Sequence, residues 1–324
     1  MFPRVFWSRL AILAALAVAA CVPNKSPPGA SLDWAYPDAA PRPFPIPTSG
    51  VQHVPGSALT FTAAQVGDFR NPPDWFPDEH PPAPAVVAHG SRQGPEPCAD
   101  CHLMNGQGFP GAANLTGLSA GYIIQQVQEF RSGRRRSWQH DRLDTEEMIK
   151  VSKSVTDADL ARATAYYAAL PVRRWIRVVE TDMVPVTRPD YGGWLDLVPS
   201  GGMEPIRARI IEVPEDTSRM FLMDPHVGLV DYVPVGSLRR GAALVRSGGR
   251  SGAPCTSCHG PDLKGAGDAP PLAGRSAPYL ARMLWDIKTG ARGGPVVARM
   301  RAPTAGLSEA DITDVVAYLA SLEP

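Results

Sequence analysis

Charge of one sign is missing from this chain, because 32 basic and 32 acidic residues cancel over its 324 positions. A neutral balance gives nucleic acid no electrostatic foothold as a partner. After residue 20 no apolar run is long enough to span a bilayer. Cysteine is scarce, at five residues, and its placing leaves no thiol for a disulfide: four lie in two pentads and the fifth is Cys21. Neither pentad has the extra Cys or His ligands grouped nearby that a zinc site needs. Neither sits in the βαβ context of a thioredoxin-like dithiol. No constellation of catalytic groups is visible elsewhere, and the length allows two ordinary domains.

The pentads themselves are Cys98-Ala99-Asp100-Cys101-His102 and Cys255-Thr256-Ser257-Cys258-His259. C-x-x-C-H is the attachment sequence of c-type haem. Two thiols at this spacing can each add to a vinyl group of the macrocycle, and the His that follows lies beneath the iron as proximal ligand. The expectation is two covalent haems, one on Cys98 and Cys101 with His102, the other on Cys255 and Cys258 with His259.

Residues 1–20 follow signal-peptide grammar. Arg4 and Arg9 precede an apolar stretch over residues 10–20 that is too short for a permanent span. It ends Val18-Ala19-Ala20-Cys21, which resembles a bacterial lipobox, so Cys21 is the expected lipidation site. An ordinary cleaved signal is the alternative, and either reading exports the chain. Lipidation would hold it as a lipoprotein on the periplasmic side of a bacterial membrane. Of 35 prolines, 17 fall within residues 22–97, so residues 21–82 read as a proline-rich tether and docking segment. Its stretch 74–82 carries enough aromatics to pack onto the first domain.

The chain then contains its own duplicate. Counted from each motif His, Leu115, Gly117, Tyr122, Phe130 and Gly133 recur as Leu272, Gly274, Tyr279, Ile287 and Gly290. The first copy has five extra residues within 134–147. Register resumes at Met148 and Met300, then at Asp159 with Asp311 and Tyr166 with Tyr318. An ungapped match on both sides of one insertion marks a tandem repeat. Both copies read as helical. Apolar residues recur at helix spacing over 122–130 and 279–287, capping boxes start at Thr156 and Ser308, and a helix precedes each motif at about 83–89 and 237–246.

Helix, C-x-x-C-H, irregular loop, helix, methionine loop and closing helix is the order of a class I cytochrome c. The chain resembles dihaem cytochromes c built from two tandem class I domains. The resemblance implies a mainly α fold, with domain 1 at 83–171 and domain 2 at 237–324. It also implies that Met148 and Met300 supply the second axial ligands. Copy one departs from the family pattern at Leu103, where Gly260 stands in copy two, and at Ala113, where the other copy has Pro270. His140 in the insertion is the rival to Met148 and would make that haem bis-His. Met283 and Met104 read as packing. Arg134, Arg135, Arg136 and Arg292 read either as a solvated basic loop or as partners for haem propionates. Trp138 and Trp285 read as core or haem contacts.

Between the copies, residues 172–236 are rich in β-branched residues broken by Pro and Gly, and read as a small β-rich connector packing against both domains. Two axial ligands per iron leave no vacant position, which suits an electron carrier passing single electrons between redox proteins such as a dehydrogenase, an oxidase or another cytochrome. Two alternatives remain open. One is the cytochrome subunit of a periplasmic dehydrogenase. The other is a dihaem peroxidase or sulfur-compound oxidoreductase with an open axial site in copy one.

Overall fold

The apolar stripes become buried faces in the computed structural model, which describes residues 32–38, 45, 47–90, 96–190 and 193–324. The signal segment and Cys21 lie outside the described residues. Helix Ala120–Arg131 opens on Ser119, whose side chain accepts the Tyr122 N–H, and buries Ile123, Val127 and Phe130. Its counterpart Ala277–Thr289 is capped by Ser276 in the same way and ends at Gly290 with φ +85°, a left-handed cap that glycine adopts without steric cost. The closing helices are Asp157–Ala168 and Glu309–Ser321. Ser308 and Asp311 make a complete reciprocal capping box. Thr156 accepts the Asp159 N–H and donates its hydroxyl proton to the Asp159 carboxylate.

Helix Ser237–Ser247 crosses Glu309–Ser321 at Gly241. A Cβ at Gly241 would lie 2.0 Å from the Asp314 carbonyl oxygen, so the absence of a side chain sets this approach. Arg240 clamps the crossing with two 2.8 Å hydrogen bonds to the Asp314 carboxylate. In copy one the helix expected at 83–89 is a single turn, Ala85–Ala88. Pro82 and Pro84 push the residues before them, Pro81 and Ala83, out of the helical region, which keeps the helix from starting earlier. Val87 of that turn is fully buried among Ala163, Tyr166 and Tyr167.

The methionine segments are helical, not loops. Met148 lies inside helix Leu143–Ser154. Met300 ends the 3-10 turn Ala298–Met300 before helix Arg301–Ala305. Residues 143–154 carry Glu146, Glu147, Lys150 and Lys153 with no Gly or Pro, a composition that favours helix.

The connector is β-rich as expected. Strand Leu229–Val233 lies centrally, parallel to Ile176–Glu180 and antiparallel to Ile211–Pro214. Two short antiparallel pairs, Met183–Pro185 with Met203–Pro205 and Thr187–Pro189 with Leu195–Leu197, complete it. One sheet face places Ile176, Leu229 and Val233 in an apolar cluster with Leu103 and Phe109 of copy one and Ala277, Leu280 and Ile312 of copy two. The other face buries Ile211, Val213 and Val230 against Val184 and Ile206.

The reading of 21–82 as an extended tether is corrected where it is described. Leu32, Ala35 and Tyr36 are buried in the main cluster. Val54, Val66 and Trp75 form a cluster of their own, and the Trp75 indole donates to the Leu222 carbonyl at 2.6 Å. Prolines stiffen this stretch, but apolar side chains spaced among them bury surface worth more than the ordering costs. Stretch 74–82 meets the first domain through the edge contact of His80 with Tyr166. It meets the connector through the stack of Phe76 on His226. Among the described residues no helix is long and apolar enough to cross a membrane.

Candidate haem sites

Each pentad is one turn of helix, Cys98–His102 in copy one and Thr256–His259 capped by Cys255 in copy two. Residues three apart on a helix share a face, which brings both thiols of a pair to one side. All four are free cysteines; Cys98 and Cys255 are half-buried, Cys101 and Cys258 exposed. Desolvation pushes the Cys98 thiol up to about 12. Cys101 is held higher still by the same cause, although its surface is accessible.

The motif histidines are oriented identically. His102 Nδ1 lies 2.8 Å from the Ala113 carbonyl oxygen, and His259 Nδ1 lies 2.8 Å from that of Pro270. A carbonyl can only accept, so Nδ1 carries the proton and Nε2 keeps its lone pair for a metal. Desolvation lowers the pKa of both imidazoles and favours that neutral form. The loop behind each ring repeats too, with the N–H of Gly108 on the His102 carbonyl at 3.0 Å and that of Gly265 on the His259 carbonyl at 2.9 Å. Two thiols and an imidazole with a free Nε2 are the donor set that a c-type haem requires. Ala113 supplies the carbonyl at the same distance as the expected proline does.

Copy one carries strain where it departs from the family pattern. Leu103 takes φ +58° and ψ 163°, a region populated almost entirely by glycine and costing about 1–3 kcal/mol otherwise. Gly260 takes the equivalent conformation freely at φ +86°. Burial of the Leu103 side chain, 3% exposed, offsets the strain.

Met148 and Met300 are half-buried, whereas His140 stands exposed. Trp138 and Trp285 pack edge to face with each other. Met104 is buried beside Val87 and Leu115.

The basic loop divides. Arg134 and Arg136 are exposed, while Arg135 and Arg292 are each 7% exposed and paired in an isolated antiparallel bridge. Arg135 donates to Gln126 Oε1, Tyr279 Oη and Met283 Sδ. Arg292 donates to Gln126 Oε1, Tyr122 Oη and Met283 Sδ. Each arginine thus reaches the other copy's tyrosine, and Met283 belongs to this interface and not simply to a core. Sequence reading missed the cluster, although the shared register of Arg135 with Arg292 and Tyr122 with Tyr279 was a signal for it.

Comparison with known proteins places these features. The family model for cytochrome c matches residues 240–323, the copy that keeps both Gly260 and Pro270. Cytochrome c-554(547) of Halothiobacillus neapolitanus is 38% identical over 79 residues, which cover 22% of this chain and 87% of that one. The thiosulfate dehydrogenase electron acceptor of Stutzerimonas stutzeri is 24% identical over 228 residues, covering 69% of this chain and 78% of that one. Cytochrome c4 of Azotobacter vinelandii is 32% identical over 105 residues, 30% of this chain and 50% of that one. The paired thiols, the oriented imidazoles and these matches agree: the chain belongs to the cytochrome c family, as an electron-transfer protein with covalently bound c-type haem.

Proposed function

We propose that this protein is an exported, lipid-anchored dihaem electron carrier passing single electrons between periplasmic or membrane redox partners. The observation that carries the count of two is the duplicated geometry of His102 on Ala113 and His259 on Pro270. When bound, haem supplies a one-electron iron couple. Cys98 and Cys101, and Cys255 and Cys258, would tether it through thioethers. His102 and His259 would present Nε2 as proximal ligands. Met148 and Met300 would supply the remaining iron ligands, excluding substrate and raising the potential. Arg135 and Arg292 bring two buried positive charges between the copies, suited to the carboxylate edges of the haems.

A pyridine haemochrome assay on extracted protein tests this reading, with about two haems per chain expected from the two motifs. One or none would refute it. The oxidised protein should show the weak near-infrared sulfur-to-iron band from both haems. An unaltered first-haem spectrum in Met148→Ala would move the ligand to His140. Cys21→Ser should release haem-loaded protein into the soluble periplasmic fraction, and retention at the membrane would refute the lipid anchor.

A second reading is favoured by the likeness to the Stutzerimonas stutzeri electron acceptor, which is 24% identical over 228 residues, 69% of this chain. The partner would then be a dehydrogenase acting on a sulfur compound. Co-purification of such a subunit under mild detergent tests it.

A further inference from the structure

Strand Leu229–Val233 directs Leu229 and Val233 into the main apolar cluster, and Asp231 between them is fully buried. Directly opposite in antiparallel register stands Glu212, 7% exposed. Its neighbours Ile211 and Val213 belong to the other face of the sheet. Two carboxyls therefore share one dry, otherwise apolar face. Asp231 Oδ2 accepts the Ala277 N–H at 3.1 Å, at the start of helix Ala277–Thr289. The two carboxyls hydrogen-bond each other, and Ser276 hydrogen-bonds Glu212.

Glu212 also lines a small cavity with Ala112 and Asn114 of copy one and Arg275, Ser276 and Tyr279 of copy two. Arg275 is 6% exposed. It donates to the carbonyls of Asn114 and Thr116, while its Nε is left without a partner. Both carbonyls lie just after Ala113, whose own carbonyl holds His102. Arg275 thus lines the same cavity as Glu212 and holds the loop that orients the first haem's ligand.

Two adjacent buried carboxyls cannot both ionise cheaply. Burial first, then the neighbouring acid, raises Asp231 well above the ordinary range, and burial raises Glu212. The charged surroundings are few. Arg275 and Arg282 face the pair from copy two, and Tyr279 beside them is held by Arg135. The loop 109–114 carries no ionisable side chain. On the neighbouring strand, Arg177 turns out to Glu215 and Glu180 accepts the Leu238 N–H. On the helix Glu309–Ser321, Asp314 is taken by Arg240 and Asp311 by Ser308.

We propose that Glu212 and Asp231 form a redox-linked proton site, taking a proton when the first-copy haem iron gains an electron and releasing it on oxidation. The inference rests on the dihaem reading above. The electron comes from the redox partner and the proton from solvent, and the only bond made or broken is a carboxyl O–H. Coupling is reciprocal: a protonated pair favours the reduced iron, and reduction favours the protonated pair.

The test is spectroelectrochemical titration of the full haem-loaded chain across pH. In wild type the potential of the first haem should fall as pH rises through the titration of the pair and level on either side. The limit is a tenfold change in electron affinity per pH unit, about 59 mV for one electron. Glu212→Gln should remove that sloping segment, and superimposable wild-type and variant curves would overturn the proposal. If the variant does not fold, the redox-difference infrared spectrum of wild type decides, because a change in the protonated-carboxyl band is required and its absence refutes the site. Wild type with two haems and no sloping segment sinks the proton site alone, whereas fewer than two haems sinks the reading beneath it.

Discussion

Arg135 and Arg292 occupy the same position in the two copies and face each other across an antiparallel bridge, sharing Gln126 Oε1 and Met283 Sδ as acceptors. Equivalent residues that meet each other lie on a local two-fold axis, so the duplicated domains associate as an isologous pair would. The two guanidiniums are buried against neutral hydrogen-bond acceptors, with the Asp286 carboxylate as the opposite charge nearby.

Arg135→Gln should therefore lower the reduction potential, because a buried positive charge favours the reduced iron. For a haem edge within about 10 Å the loss of electron affinity is on the order of tenfold at an effective dielectric of about 20. Potentiometric titration measures it. The shift should survive added salt, since burial excludes screening ions.

At Leu103 the usual ranking of substitutions should invert. Leu103→Ala loses the buried side chain but keeps a Cβ at φ +58°. Leu103→Gly loses the same contacts and relieves the strain, so it should be the more stable variant by about 1 kcal/mol. Urea unfolding followed in the haem absorption band would show the order.

His80 links pH to stability. Its imidazole lies 3.2 Å from the Asp74 carboxylate with the side chain 5% exposed. The hydrogen bond to Asp74 raises its pKa against the opposing effect of burial. The stabilisation is present in full below the ordinary His value of about 6.5 and is lost as pH rises through the raised folded value. Melting temperature against pH should show this decline in wild type, and Asp74→Asn should flatten it.

Gly241→Ala should disrupt the second copy. The added Cβ would stand 2.0 Å from the Asp314 carbonyl oxygen and 2.8 Å from Tyr318 Cβ, so the helices must move apart and the Arg240 clamp must stretch. A loss of more than about 2 kcal/mol is expected from such overpacking. Circular dichroism during thermal unfolding would register it, and an unchanged midpoint would contradict the crossing.

Local covalent chemistry and short-range periodicity were legible in the chain. The C-x-x-C-H pentads act through neighbours a few residues apart. The repeat exposed Tyr122 with Tyr279, and the capping residues Thr156 and Ser308 act on the backbone three positions on. These features depend on sequence separation, so sequence determines them. Tertiary structure decided the rest. Proline density suggested a tether, yet Trp75 gains its burial and its acceptor from Leu222, 147 positions away. Arg135 read as one of three loop arginines until the second copy closed over it. Glu212 and Asp231 lie in two separate β-branched runs, and only strand register sets them side by side in a dry interior. Charge, exposure and partnership across such distances are properties of packing, which no local pattern encodes.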